Sequence, residues 1–287
     1  MPIEIPMIAK VEADTVGKLV DSYLCSLSNP VTRRSAAGHF TQILERFGNE
    51  PPESVTLERL FDFCRDQQDA GISDVTLRLR IRLLHTAFIR AGLPLDVPHV
   101  TARSPERLPP TREELRRILA VAPEHVRRVI LIGHASGARI GPSELFRLKW
   151  ADVDLVSDVF RMPAADKGAT ESTRIVPIRS DIIGELTKWH DADGDIEHVI
   201  HWRGKPVHTI GVAWRHALKR AGIERQIRPY DLRHAFATDA IEGGADIKAV
   251  AQVMGHADPT MLLKVYQHVR LSGLKRAVEA SRGVEGI

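Results

Sequence analysis

Two arginines far apart in the chain stand where a phosphate could be clamped. Arg139 lies between a run of helical periodicity and the helix-start pair Gly141-Pro142, and Arg233 lies in Pro229-Tyr230-Asp231-Leu232-Arg233-His234. A guanidinium fork matches phosphate oxygens with two parallel hydrogen bonds, so two forks brought together by the fold would hold a phosphodiester. A lone arginine is more often a surface charge; what strengthens this pair is its company. Lys167-Gly168 occupies a turn-rich stretch, Tyr230 and His234 flank the second arginine, and Met254-Gly255-His256 is followed ten residues later by Tyr266. A tyrosine after a Gly-His turn is a weak signal by itself, because most such residues are packing residues. Arg78 and Arg82, one helical turn apart, could lay two further guanidiniums along a phosphate backbone, although taken alone they are better explained as a solvated helix flank.

Net charge does not announce such a partner. The 287 residues carry 40 Lys and Arg against 37 Asp and Glu, only +3. Its distribution is more informative: 101–150 holds 10 basic and 5 acidic groups and 201–240 holds 8 and 3, while the intervening 151–200 holds 5 and 11. Two basic blocks around an acidic one suit two parts of a domain that converge on a polyanion while a third faces solvent. With 43% hydrophobic residues the chain can bury a core, which excludes dominant disorder. Glu4, Lys10 and Glu12 interrupt any secretory apolar region and no apolar run is long enough to span a bilayer, so a soluble, cytoplasmic protein without a membrane partner is expected. Cys25 and Cys64 cannot make a disulfide framework or an all-cysteine zinc site and read as reduced, packed thiols.

The elements that must position these side chains form a mainly α chain with a small three-stranded β-sheet, in two domains. Apolar residues spaced by three and four (Val16, Leu19, Val20, Tyr23, Leu24, then Phe40, Ile43, Leu44, Phe47) predict about four helices between Thr15 and Leu93, divided at Asn29-Pro30, 48–52 and 71–74. In the last of them Leu77, Ile81, Leu84 and Phe88 form one stripe. Residues 1–100 are thus expected to be an N-terminal helical domain and 101–110, with Pro105, Pro109 and Pro110, a linker. The second domain, 111–287, opens on the capping-box pair Thr111 and Glu114. Within it a helix covers 126–134, Pro142 could start another through Leu145 and Leu148, and 153–155, 159–162 and 174–178 look like strands. From Ile182 onward the pattern is mostly helical.

The order Ser136-Gly137-Ala138-Arg139-Ile140, Lys167-Gly168, Tyr230-x-x-Arg233-His234-Ala235-Phe236-Ala237-Thr238, Met254-Gly255-His256, Tyr266 resembles the tyrosine recombinase, or phage integrase, family of DNA strand-exchange enzymes, over nearly the whole chain. The resemblance implies a helical core-binding domain and a catalytic domain that close around double-stranded DNA. Tyr266 would attack the scissile phosphate to leave a 3′-phosphotyrosine and a free 5′-hydroxyl. A phenol with a pKa near ~10 needs cationic surroundings for this, which Arg139 and Arg233 would supply while stabilising the pentacoordinate transition state. No metal or nucleotide cofactor is then implied. Lys167 would be the general acid for the leaving 5′-oxygen, with Arg174 and Lys149 less suitable substitutes, and His256 would bond the phosphate or orient Tyr266. His234 and His268 fit packing or supporting roles. Four protomers on two DNA sites, with the segment from Leu271 to Ile287 docking on a neighbour, complete the implied assembly.

Two features depart from the family pattern. Tyr230 stands three residues before the second arginine where most members have His, and a phenol cannot titrate near neutrality as an imidazole does. Glu144 follows Arg139 by five positions where three is usual, which leaves open whether it supports the site. Other motifs fail: Asp191 to Asp195 suggests a calcium loop, but Ile196 and Trp202 occupy the required Gly and Glu positions, so a polar loop is expected, and the thirteen histidines offer no zinc spacing. The short stretch before Thr15 suggests no separate arm-binding domain and hence a simple site. Two rivals are a topoisomerase of type IB and a catalytically silent DNA-binding protein; competent residues at the nucleophile and clamp positions oppose the second, and Tyr230 favours it.

Overall fold

The computed structural model describes residues 13–102, 108–163, 173–256 and 260. It divides into two compact units, Met1–Glu106 and Arg107–Ile287. In the first, α1 (Val16–Cys25), α2 (Pro30–Phe47), α3 (Leu57–Asp69) and α4 (Asp74–Arg90) start on side-chain caps from Thr15, Asn29, Thr56 and Ser73, with Pro30 at the first helical position of α2. Their stripes meet in one core of Leu19, Phe40, Ile43, Leu60, Leu77, Leu84 and Phe88, each buried side chain contributing about 1.5–3 kcal/mol. On α4 the stripe Leu77, Ile81, Leu84 and Phe88 is buried as its spacing predicts, and Arg78 and Arg82 are exposed. Arg80, on the same helix, is unexpectedly buried and bonds the Gln67 side chain.

The second unit begins with α5 (Arg112–Val121). Its capping box is reciprocal, Thr111 and Glu114 each accepting from the other's backbone, and Arg225 grips the Glu114 carboxylate from across the unit. That ion pair holds the Glu114 pKa down to about 2. After α6 (Glu124–Ser136), three antiparallel strands follow in the order β1 (Val153–Asp154), β2 (Val159–Pro163), β3 (Thr173–Pro177), paired Val153 with Phe160 and Phe160 with Val176. Phe160, Met162 and Val176 point from the sheet into the core, where they join Ile130, Leu145, Leu186 and Trp214. Helices α7 (Ser180–Asp193), α8 (Gly211–Arg220), α9 (Asp231–Glu242) and α10 (Ile247–Met254) complete the described chain, with α6 and α9 packed side by side. The fold is mainly helical with a small three-stranded sheet, as the sequence indicates.

Three expectations need correcting. No helix starts at Pro142: only a single 3₁₀ turn forms at Leu145–Arg147. The intervening chain is folded back on itself, because the N–H groups of Glu144 and Phe146 both bond the Gly141 carbonyl and that of Leu145 bonds the Arg139 carbonyl. Residues 191–193 are not a polar loop but the last turn of α7, which ends on Gly194 at φ 56 with Asp193 buried. Finally, the break expected at Gly204 to Pro206 in the mostly helical stretch from Ile182 is more than a break: β4 (His201–Trp202) and β5 (Lys205–Pro206) form a hairpin there. Arg203 and Gly204, at φ 51 and 81, give the two left-handed residues of a tight hairpin turn, and strands of two residues are too short to show an alternation. No helix of the described residues is long and apolar enough to cross a membrane.

Candidate active site

The site is built where α6 must stop. Gly137 caps the helix in the left-handed region at φ 62, and a β-carbon there would lie 2.4 Å from the Phe236 ring, so this position requires glycine on two counts. The chain then turns to deliver Arg139, whose backbone N–H donates to Glu144 Oε2 at 2.9 Å and whose guanidinium donates to Oε1. Glu144 is completely buried and also accepts from Arg174 Nη2 at 2.8 Å. One carboxylate therefore joins two guanidiniums delivered by different elements, the α6 exit and β3. Burial pulls the Glu144 pKa up, but the hydrogen bond and charge of Arg174, with the backbone and charge of Arg139, outweigh it and hold the group below the ordinary glutamate value. The five-residue spacing from Arg139 is no obstacle, since the folded-back loop returns the carboxylate to the arginine.

Arg233, in the first turn of α9, is 1% exposed. Its Nη1 donates to the Gly137 carbonyl at 2.7 Å and its Nη2 to the Met254 carbonyl at 2.8 Å, so it satisfies the C-terminal ends of α6 and α10 together. Burial lowers its pKa to about 10, which leaves it a cation at neutral pH. The start of α9 is fixed by Asp231, which accepts from the backbone and guanidinium of Arg228. Tyr230 occupies the N-cap position without a capping side-chain bond, is 40% exposed, and sets its ring edge-on to His234 at 5.7 Å.

Helix α10 starts on an Asp246 cap and ends at Gly255, again left-handed at φ 69. The His256 N–H bonds back to the Ala251 carbonyl at 2.9 Å. Its Nδ1 is buried and has no partner among the described residues. Burial first, then the charges of Arg233, Arg139 and Arg174, lower the His256 pKa, so the ring is neutral at pH 7 and can donate or accept one proton. Arg174 closes the arrangement: its Nε donates to the Val253 carbonyl at 2.8 Å.

Of the residues singled out in the sequence, Arg139, Arg233 and His256 therefore converge, with Tyr230 at the entry to α9. Lys167 and Tyr266 lie outside the described residues, as do His268 and the segment from Leu271. Arg78 and Arg82 belong to the first unit. The family resemblance makes Arg174 only a stand-in acid, whereas both of its bonded nitrogens are occupied in holding Glu144 and α10. The signal that could have found it is strand alternation: Arg174 shares the inward face of β3 with Val176, between exposed Thr173 and Ile175. Chemically the cluster offers cationic donors around one buried carboxylate and a neutral imidazole, a setting for an anion that gains charge.

The phage integrase family matches residues 110–272, which includes Arg139, Glu144, Arg174, Tyr230, Arg233 and His256 but not Arg78 and Arg82. The chain belongs to the phage integrase family. As a family member it is 31% identical over 292 residues to Tyrosine recombinase XerA of Thermococcus onnurineus (strain NA1), covering 96% of this chain and 99% of that one. The integrase fold is also seen in the Tn1549 transposon integrase (residues 82–397) in complex with circular intermediate DNA, at a TM-score of 0.73 and 20% identity, with 93% and 99% of the two chains covered. A lambda integrase tetramer bound to a Holliday junction is similar at 0.70 and 18%, with 86% and 79% covered. These two likenesses concern the fold. Membership of the family makes the protein a tyrosine-type site-specific recombinase, an enzyme of DNA cleavage and rejoining.

Proposed function

We propose that this integrase cuts and rejoins double-stranded DNA by two phosphoryl transfers through Tyr266, without metal or nucleotide. The observation that carries the reading is the convergence of Arg139 and Arg233, 94 positions apart in the chain, on a site that also holds His256. The Tyr266 oxygen attacks the scissile phosphorus and gives its proton to water; the bond from phosphorus to the 5′-oxygen breaks, and Lys167 gives that oxygen a proton to leave a 5′-hydroxyl. Rejoining runs the same steps in reverse, so the energy of the diester is kept in the phosphotyrosine. Guanidiniums fixed before the substrate arrives stabilise the extra negative charge of the transition state without reorganisation, the part a metal ion plays in other phosphoryl transfers. Neutral His256 donates to a phosphate oxygen or orients Tyr266. Arg78 and Arg82 run along the backbone of the same duplex, and four protomers assemble on two sites, joined through the segment after Leu271. The tetrameric lambda integrase supports that assembly by likeness of fold.

The test uses a nicked duplex carrying a site selected by this protein from a random-sequence pool, incubated in EDTA and resolved by denaturing electrophoresis. Wild type should form a covalent adduct, and Tyr266→Phe should bind the duplex equally well and form none. An adduct in the variant, or wild-type cleavage that requires added magnesium, would overturn the mechanism.

A further inference from the structure

We propose that Arg174 is a positioning residue for strand cleavage, a third guanidinium that fixes the Gly255-His256 turn and keeps Glu144 from neutralising Arg139. This rests on the recombinase reading above, which assigns Arg174 no part in the chemistry.

The first observation is where the side chain lies. An arginine on the inward face of a strand loses its hydration, and the fold must return hydrogen bonds for it to remain there. Arg174, with 13% of its side chain exposed, spends Nε on the Val253 carbonyl and Nη2 on Glu144, while Nη1 is buried and has no partner among the described residues. Buried donors are as a rule met, so an unmet one beside a candidate site is a place where an arriving group can bind, although Arg80 in the first unit also leaves its Nε unmet. The orphaned Nη1 and the orphaned Nδ1 of His256 occur in the same cluster.

The second observation is how the turn is shaped. Val253 and Met254 supply two successive carbonyls at the end of α10; Arg174 takes the first and Arg233 the second. A β-carbon on Gly255 would lie 3.2 Å from Arg174 Nη1 and 3.3 Å from its Cδ and Nε. The glycine thus lies directly against the guanidinium, and His256, the next residue, takes its position from a turn held by two arginines.

The third observation is the charge balance. Among the described residues, three guanidiniums (Arg139, Arg174, Arg233) and one carboxylate (Glu144), with a neutral imidazole, sum to +2, before any charge that Lys167 brings as the acid. A phosphodiester enters with −1 and reaches −2 in the pentacoordinate transition state, so a +2 site favours the transition state over the bound ground state. Without Arg174, Glu144 turns its whole charge on Arg139 and the cluster falls to +1. The groups acting on His256 come from three places: Arg139 and Glu144 after α6, Arg174 on β3 and Arg233 on α9. Arg174, Arg139 and Arg233 all lower its pKa, so deleting Arg174 must raise it.

Two substitutions separate geometry from charge. In single-turnover cleavage of the selected nicked duplex from pH 5 to 8, Arg174→Lys keeps the charge but not the planar fork, and should be slower by about 10-fold with the His256 inflection unmoved. Arg174→Ala loses both, and should be slower by about 10²-fold with the inflection displaced to higher pH. DNA affinity should change by no more than a few-fold in either. If Arg174→Ala does not fold by circular dichroism, Arg174→Gln must show the same displaced inflection. An Ala or Gln variant that cleaves within about threefold of wild type, or one that slows with the inflection unmoved, overturns the inference. Failure of wild type itself to form an adduct overturns the recombinase reading instead.

Discussion

The second unit contains two buried clusters of charge, and they are finished differently. Around Asp193, at the end of α7, every polar group is answered: the carboxylate accepts from Arg128 Nη1 at 2.5 Å and Nη2 at 2.8 Å, from Trp150 Nε1 at 2.9 Å and from His201 Nε2 at 3.0 Å. Arg128 also donates to the Val199 carbonyl and lies over the Trp189 ring. Around Glu144, the carboxylate is equally well met, yet Arg174 Nη1 and His256 Nδ1 are left over and Arg139 retains 29% of its side-chain exposure. A network that closes on itself ties α6, α7 and β4 together and has nothing to offer a ligand. One that carries an unmet guanidinium donor and an unmet imidazole nitrogen beside an accessible arginine holds stabilisation in reserve for a group that arrives later.

That contrast can be broken most forcefully at Asp193. Asp193→Ala strands Arg128 in the core and should lower unfolding stability by about 3–5 kcal/mol, read from urea melts, while the cleavage rate of the molecules still folded stays near wild type. A selective loss of cleavage with stability intact would erase the distinction between the clusters. Acid sharpens the same point. Burial raises the Asp193 pKa, but Arg128, His201 and Trp150 outweigh it and the folded value lies below the ordinary one. Its stabilisation is therefore present at neutral pH and is lost as pH falls below the usual aspartate range toward the lowered value. Melts of Asp193→Asn should lack that part of the acid dependence.

The smallest effect is expected at Tyr230, which stands at the N-cap position of α9 without a capping bond and is exposed. Tyr230→Phe should slow cleavage by roughly 10- to 10²-fold and leave the covalent product unchanged, if its hydroxyl orients the phosphate or the nucleophile. Tyr230→His should add an inflection between pH 5 and 8 that wild type lacks at this position. Identical profiles for wild type and the His variant, with Phe fully active, would make Tyr230 a packing residue.

Much of this was readable from residue types and spacing because it depends on local rules. The stripe of α4, the Thr111-Glu114 box and the Pro30 helix start are set by neighbours three or four positions away. The ordered motifs at Arg139, Arg233 and Gly255-His256 pointed to side chains that the fold brings into one cluster. What the sequence hid is what depends on distant partners. Asp193 looked like a polar loop residue because Arg128 and Trp150 lie 65 and 43 positions away. Arg174 reads in the sequence only as a stand-in acid because Glu144 and Val253, 30 and 79 positions away, are what claim it. The helix expected after Pro142 was pre-empted by backbone bonds to Gly141 and Arg139.

Arg139 offers the most direct test of the central claim, because it is the least buried arginine of the cluster and its loss should disturb packing least. Single-turnover cleavage by Arg139→Ala, measured beside its affinity for the same duplex, should be slower than wild type by at least ~10²-fold while affinity changes by no more than a few-fold. Cleavage near the wild-type rate would contradict the assignment of this cluster as the site where the phosphodiester is broken.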